Sequence, residues 1–159
     1  MELWRQARRR AHETGDALRG GVSIQLIRKS VCTADMAPIP HGVQVRASHM
    51  LIKHAESRNP ISRRTNESTA ALSKADAESE MNKWIAELEK DTRPMAEKFA
   101  ALAFHRSDCG SFEVGGDLGE FTHGEMQQPF EEAVQALNVG EVSGIVTTDS
   151  GTHIIFRTA

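Results

Sequence analysis

Two histidines and a cysteine carry most of the chemistry that this chain could perform. His49 sits in VRASHMLIKH, Cys109 in SDCGSFEVGGDLGEF and His153 in TDSGTHIIFRT. Each lies in a stretch that otherwise reads as strand or glycine-rich turn, and the middle region adds the apolar Leu118, Met126 and Phe130. Convergence of the three segments would form a small apolar pocket with a polar floor. Covalent catalysis by a Cys–His pair needs a thiolate favoured by positive neighbours. Asp108 beside the cysteine is acidic, and only Cys32 could resolve an oxidised thiol, which argues against a cysteine hydrolase or a redox enzyme. The short paired spacings usual for zinc are missing, so no metal is expected. Taken singly, each histidine reads as a satisfied core residue, Cys109 as a small buried hydrophobe and the apolar trio as core packing.

The elements that must position these groups follow from periodicity. In VQVRASHMLIK the odd-numbered Val43, Val45, Ala47, His49 and Leu51 share one face of a strand, and Met50 and Ile52 lie on the other. A polar, basic loop without period follows (ESRNPISRRTNEST). Ser73 and Asp76 have capping-box spacing, and Ala77, Met81, Trp84, Ile85 and Leu88 recur at helical intervals, which predicts an amphipathic helix from Ser73 to about Lys90. Thr92 and Pro94 open a second helix, with Met95, Phe99, Leu102 and Ala103 inward. Glycines at 110, 115, 116, 119 and 124 allow at most a short strand over Leu118–Thr122. Pro129 starts a third helix, with Glu131 and Glu132 at the positive end of its dipole, and Gly140 stops it. The tail reads as two strands joined by Asp149-Ser150-Gly151, with the glycine supplying the left-handed residue. The order β, α, α, β, α, β, β predicts an α+β fold with helices packed on an antiparallel sheet.

The length of 159 residues, with 39% hydrophobic and 26% charged residues, fits one globular domain. Charge divides it. Residues 1–42 carry seven Lys and Arg against four Asp and Glu, while the remainder is net −6. Arg8-Arg9-Arg10, the glycines and Pro38-Ile-Pro40 interrupt any period, so residues 1–42 read as a flexible basic arm and linker, and residues 43–159 as the folded domain. Glu2, Glu13 and Asp16 argue against an organelle-targeting presequence. Without aromatic interleaving the basic run does not predict nucleic-acid binding. No apolar run is long enough for a membrane span, so a soluble protein of the cytoplasm or nucleus is expected, with both thiols reduced.

SHMLIKH, the SDCG…GGDLGEF…GEMQQPFEEA run and TDSGTHIIFRT together resemble the parvulin family of peptidyl-prolyl cis/trans isomerases, in its phosphorylation-directed, Pin1-like branch. The resemblance covers Val43 to Ala159. It implies the parvulin (FKBP-like) fold, a four-stranded antiparallel sheet surrounded by helices, without the WW module found in other members of that branch. It also implies a proline pocket of Leu118, Met126, Gln127 and Phe130, a catalytic floor of His49, Cys109, Ser150 and His153, and a phosphate site at Lys53 and Arg58. Asn59 stands where a second arginine is expected, and Arg63 and Arg64 are the candidates to compensate. The implied activity is isomerisation of Xaa-Pro bonds, preferring phospho-Ser/Thr-Pro or Glu/Asp-Pro, by non-covalent stabilisation of a twisted amide. The partners implied are phosphorylated Ser/Thr-Pro proteins or peptides, acted on by a monomer without cofactors. A binding module that holds such segments without turnover is the alternative.

Overall fold

The computed structural model describes Pro40 and residues 42–159. The basic arm expected over residues 1–42 therefore lies almost wholly outside the described residues. The elements are β1 (Val45–Ile52), α1 (Lys74–Lys90), α2 (Met95–Arg106), a 3-10 turn (Gly110–Val114), β2 (Asp117–Phe121), α3 (Gln128–Gln135), β3 (Val146–Thr148) and β4 (Gly151–Arg157). All strand pairs are antiparallel, in the order β2-β1-β4-β3. β1 and β4 are central because they are apolar on both faces. Met50, Ile52, Ile154 and Phe156 pack against α1 and α2 through Met81, Ile85, Leu88, Phe99 and Leu102. Val45, Ala47 and Ile155 on the opposite face pack against Phe121, Phe130 and Val134. Each such side chain removed from water contributes about 1.5–3 kcal/mol, which binds helices to both faces of one sheet.

The helix boundaries follow the local chemistry. The Ser73 hydroxyl accepts from Asp76 N–H at 3.1 Å and donates to the Asp76 carboxylate at 2.7 Å, fixing the start of α1. Pro94 is the N-cap of α2 rather than part of its first turn, and its carbonyl accepts from Glu97 and Lys98 N–H. α3 ends at Gln135, earlier than Gly140 suggested. The hairpin also differs from expectation: Thr148 pairs with Gly151, so the turn is Asp149-Ser150 alone and Gly151 opens β4. Its φ of +137° and its closeness to Ile52 explain the glycine there, since an added Cβ would lie 2.6 Å from the Ile52 carbonyl oxygen.

The loop after β1 is ordered despite its lack of period. Ile61 and Ser68 form an isolated bridge, Thr69 N–H donates to Pro60 C=O at 2.7 Å, and Asn66 takes the left-handed turn position that its side chain tolerates. Arg63 N–H donates to Asp108 C=O at 3.0 Å and Arg58 N–H to Asp149 C=O at 2.7 Å, so this basic loop is tied to both the cysteine segment and the hairpin tip.

Candidate active site

His49 on β1 and His153 on β4 are diagonal neighbours on one face of the sheet, because His49 pairs with Ile155 and Leu51 with His153. Their rings stack at 5.3 Å and their Nδ1 atoms lie 3.1 Å apart. Both residues are buried, 5% and 4% exposed. A hydrogen bond between two ring nitrogens uses one proton, so one ring donates and the other accepts. Burial, and then the charge of His49, hold His153 well below the ordinary histidine range, leaving it neutral. The outer nitrogens are engaged as well, His49 Nε2 at 3.1 Å from Ser111 Oγ and His153 Nε2 at 2.8 Å from Thr148 Oγ1. The result is one chain, Ser111–His49–His153–Thr148. Phe130 presses edge-on against both rings, at 5.8 and 5.7 Å. Gly116 completes the support: its carbonyl accepts His49 N–H at 2.9 Å, and a Cβ there would lie 2.3 Å from His49 O.

Cys109 precedes the 3-10 turn and is partly buried. Burial pushes its thiol up, but hydrogen bonding and charge from His49, aided by Ser111, outweigh that and lower it from about 9 to about 6. The thiol opens on a cleft of about 480 Å³ lined also by Leu51, Leu118 and Ser150, with Lys53, Arg58, Asn59 and Arg63 at its basic end. Lys53 is almost buried, and its Nζ donates to Ile61 C=O at 2.7 Å. Desolvation first, and then repulsion from Arg63, lower its affinity for its proton. The buried Asp108 beside it is already engaged, with Arg106 Nη1 at 3.1 Å and Lys53 N–H at 3.0 Å.

A family model described as the rotamase, PPIC-type PPIase domain, matches residues 49–159. The peptidyl-prolyl cis-trans isomerase ESS1 of Saccharomyces cerevisiae is 50% identical over 117 residues, covering 74% of this chain and 66% of the yeast protein. The chain belongs to the parvulin-type peptidyl-prolyl cis/trans isomerases. The parvulin Pin1 of Arabidopsis thaliana is 49% identical over 117 residues, 73% of this chain and 96% of that one. In three dimensions the chain is similar to the solution structure of TbPIN1, with a TM-score of 0.65 and 49% identity over 74% of this chain and 99% of that one. The four-stranded antiparallel sheet with its three helices is accordingly the parvulin fold.

Within this parvulin the structure brings most of the expected groups together. Leu118 and Met126 pack against the apolar cluster of Phe130; Cys109, Leu118 and Ser150 line the cleft, and the buried His49–His153 pair adjoins it through the lining Ser111. Gln127 departs from its expected place. Its Nε2 donates to Ser150 Oγ at 2.9 Å and its Oε1 accepts from Asp149 N–H at 3.0 Å, so it locks the start of α3 to the hairpin tip and lines a neighbouring groove. Arg63 lines the basic end of the cleft and Arg64 does not. Sequence reasoning missed Ser111 and Thr148, which terminate the histidine chain. Thr148 lies diagonally across from His153 only because the turn has two residues rather than the three expected, and Ser111 carried no signal in the sequence.

Proposed function

We propose that this parvulin isomerises phospho-Ser/Thr-Pro bonds, and Glu/Asp-Pro bonds less well, in the cleft over Cys109. Lys53, Arg58 and Arg63 line this cleft with no Asp or Glu among its lining residues, and this observation carries the reading; the repulsion between Lys53 and Arg63 is offset in part by Asp108. A doubly charged phosphate accepts charge-assisted hydrogen bonds from Lys53, Arg58 and Arg63 and relieves that repulsion. Asn59 donates a hydrogen bond without charge, so the third cation is Arg63.

Amide resonance sets a barrier of roughly 18–20 kcal/mol to rotation. Catalysis requires only that the twisted amide be bound better than either planar form. In this reading Leu118, Met126 and Phe130 hold the proline ring while the preceding residue is held by its phosphate, so rotation takes place between two fixed ends. The planar amide concentrates negative charge on its oxygen, and the Cys109 thiolate disfavours that form relative to the twisted one. The hydrogen-bonded histidine pair fixes the thiolate's position, and no bond to substrate forms. The relatives named Pin1 and ESS1 support Ser/Thr-Pro segments as the substrate class.

Arg63→Ala is expected to lower kcat/KM for a pThr-Pro peptide by about tenfold or more, the loss of one charge-assisted bond. Arg64→Ala should stay within about twofold. Equal values for the unaltered protein and Arg63→Ala would refute the assignment of the phosphate site.

A further inference from the structure

A second groove, of about 450 Å³, lies beyond the hairpin tip, between the starts of α1 and α3. Lys74, Gln127, Pro129, Thr147 and Asp149 are among the residues that line it. We propose that it binds the stretch of substrate that follows the proline, taking it up in extended form as an added strand on β3. The proposal rests on the reading of the first cleft as the proline site.

Hairpin geometry supplies the first argument. Thr148 and Gly151 close a two-residue turn, and Val146 and Thr147 pair with His153 and Thr152. The closing pair of such a turn exchanges both of its main-chain hydrogen bonds, and bonded pairs alternate with non-bonded ones along an antiparallel ladder. Thr147 is thus in the non-bonded pair, and its N–H and C=O point off β4. β3 is an edge strand, Thr147 is exposed, and no hydrogen bond to its main chain is formed among the described residues. A free N–H and C=O on an open edge inside a groove form a template for an extended chain.

Continuity supplies the second argument. The Gln127–Ser150 hydrogen bond joins the walls of the two clefts, since Ser150 lines the first and Gln127 the second. Gln127 directly follows Met126 on the proline side and lines the groove, whereas Lys53, Arg58 and Arg63 line the first cleft and not the groove. A chain leaving the proline ring past Gln127 therefore enters the groove. The walls carry both signs of charge, Lys74 against Glu56 and Asp149, which favours recognition of main chain over any one side-chain charge.

The test is exchange NMR on the full chain with a four-residue pThr-Pro peptide, the same peptide extended by four residues after the proline, and one extended equally before it. Extension after the proline should lower KM about tenfold with kcat within twofold, the worth of two main-chain hydrogen bonds. Extension before it should change neither. Thr147→Pro removes the outward N–H without touching a ladder bond, as an edge strand tolerates. It should abolish the gain while turning over the short peptide at the unaltered rate, and Thr147→Val should keep the gain. In the unaltered protein, replacing single amides of the extension by esters should cost severalfold at one position. No gain from extension, a gain undiminished in Thr147→Pro, or an ester scan without effect would overturn the proposal while leaving the first cleft's assignment intact. Failure of the short peptide itself would overturn both.

Discussion

The hydrogen bond between His49 and His153 lies next to the Cys109 thiol and orients its nearest partner, His49. Cys109 draws its low proton affinity from His49 and Ser111, so its alkylation by iodoacetamide, followed by peptide mapping to separate it from Cys32, should have a midpoint near pH 6. Replacement of His49 by Leu should move that midpoint up towards 9; a midpoint still near 6 would remove His49 as the cause. His153 bears on stability. Its folded-state proton affinity lies below the ordinary value of 6.5, so the unfolded chain takes up the proton first. The stability gained by keeping the ring neutral is complete above about pH 6.5 and is lost as the pH falls below it. Urea unfolding between pH 7.5 and 5.5 should accordingly show a shallower acid loss in His153→Leu than in the unaltered chain, and equal slopes would contradict the assignment.

Among the elements, the loop before α3 depends on one carboxylate. Glu131 is buried, and its Oε1 accepts from Gly124 N–H at 2.8 Å and Met126 N–H at 3.0 Å, while its Oε2 meets His123 Nδ1 at 2.9 Å. The sequence suggested only a favourable charge at the helix start; the structure shows an acceptor that shapes the loop bearing Met126 and Gln127. Glu131→Leu removes the acceptor shared by the N–H groups of exposed Gly124 and half-buried Met126, at about 0.5–1.5 kcal/mol each, and should lower kcat/KM for every Xaa-Pro peptide by about tenfold. Glu131→Gln keeps the Oε1 acceptor and should stay within about threefold. Equal effects of the two variants would show that Glu131 acts through its charge instead. The helices and strands were legible because each repeats an apolar period, and the Ser73 cap because it is local. The two-residue hairpin, the bridge at Ile61–Ser68 and the fold-back of Glu131 were not, since each depends on contacts between segments that carry no period.

For the molecule as a whole, a sheet with helices on both faces supplies rigid strands for His49 and His153 and leaves one end of β1 and β4 open for Cys109 and the basic loop. The floor was legible as a family pattern, and the register explains it: residues 49 and 153 meet because β1 and β4 pair with His49 opposite Ile155. The choice between Arg63 and Arg64 was not legible, because adjacent residues of a loop can face either way until tertiary hydrogen bonds fix them. Here Arg63 N–H is tied to Asp108 C=O, which sets its side chain towards Gly110. Phosphate-directed isomerisation is the central claim, and exchange NMR of matched pThr-Pro, Glu-Pro and Thr-Pro peptides with catalytic amounts of the protein tests it most directly. Acceleration should fall in that order; equal acceleration of all three, or none of any, would contradict it.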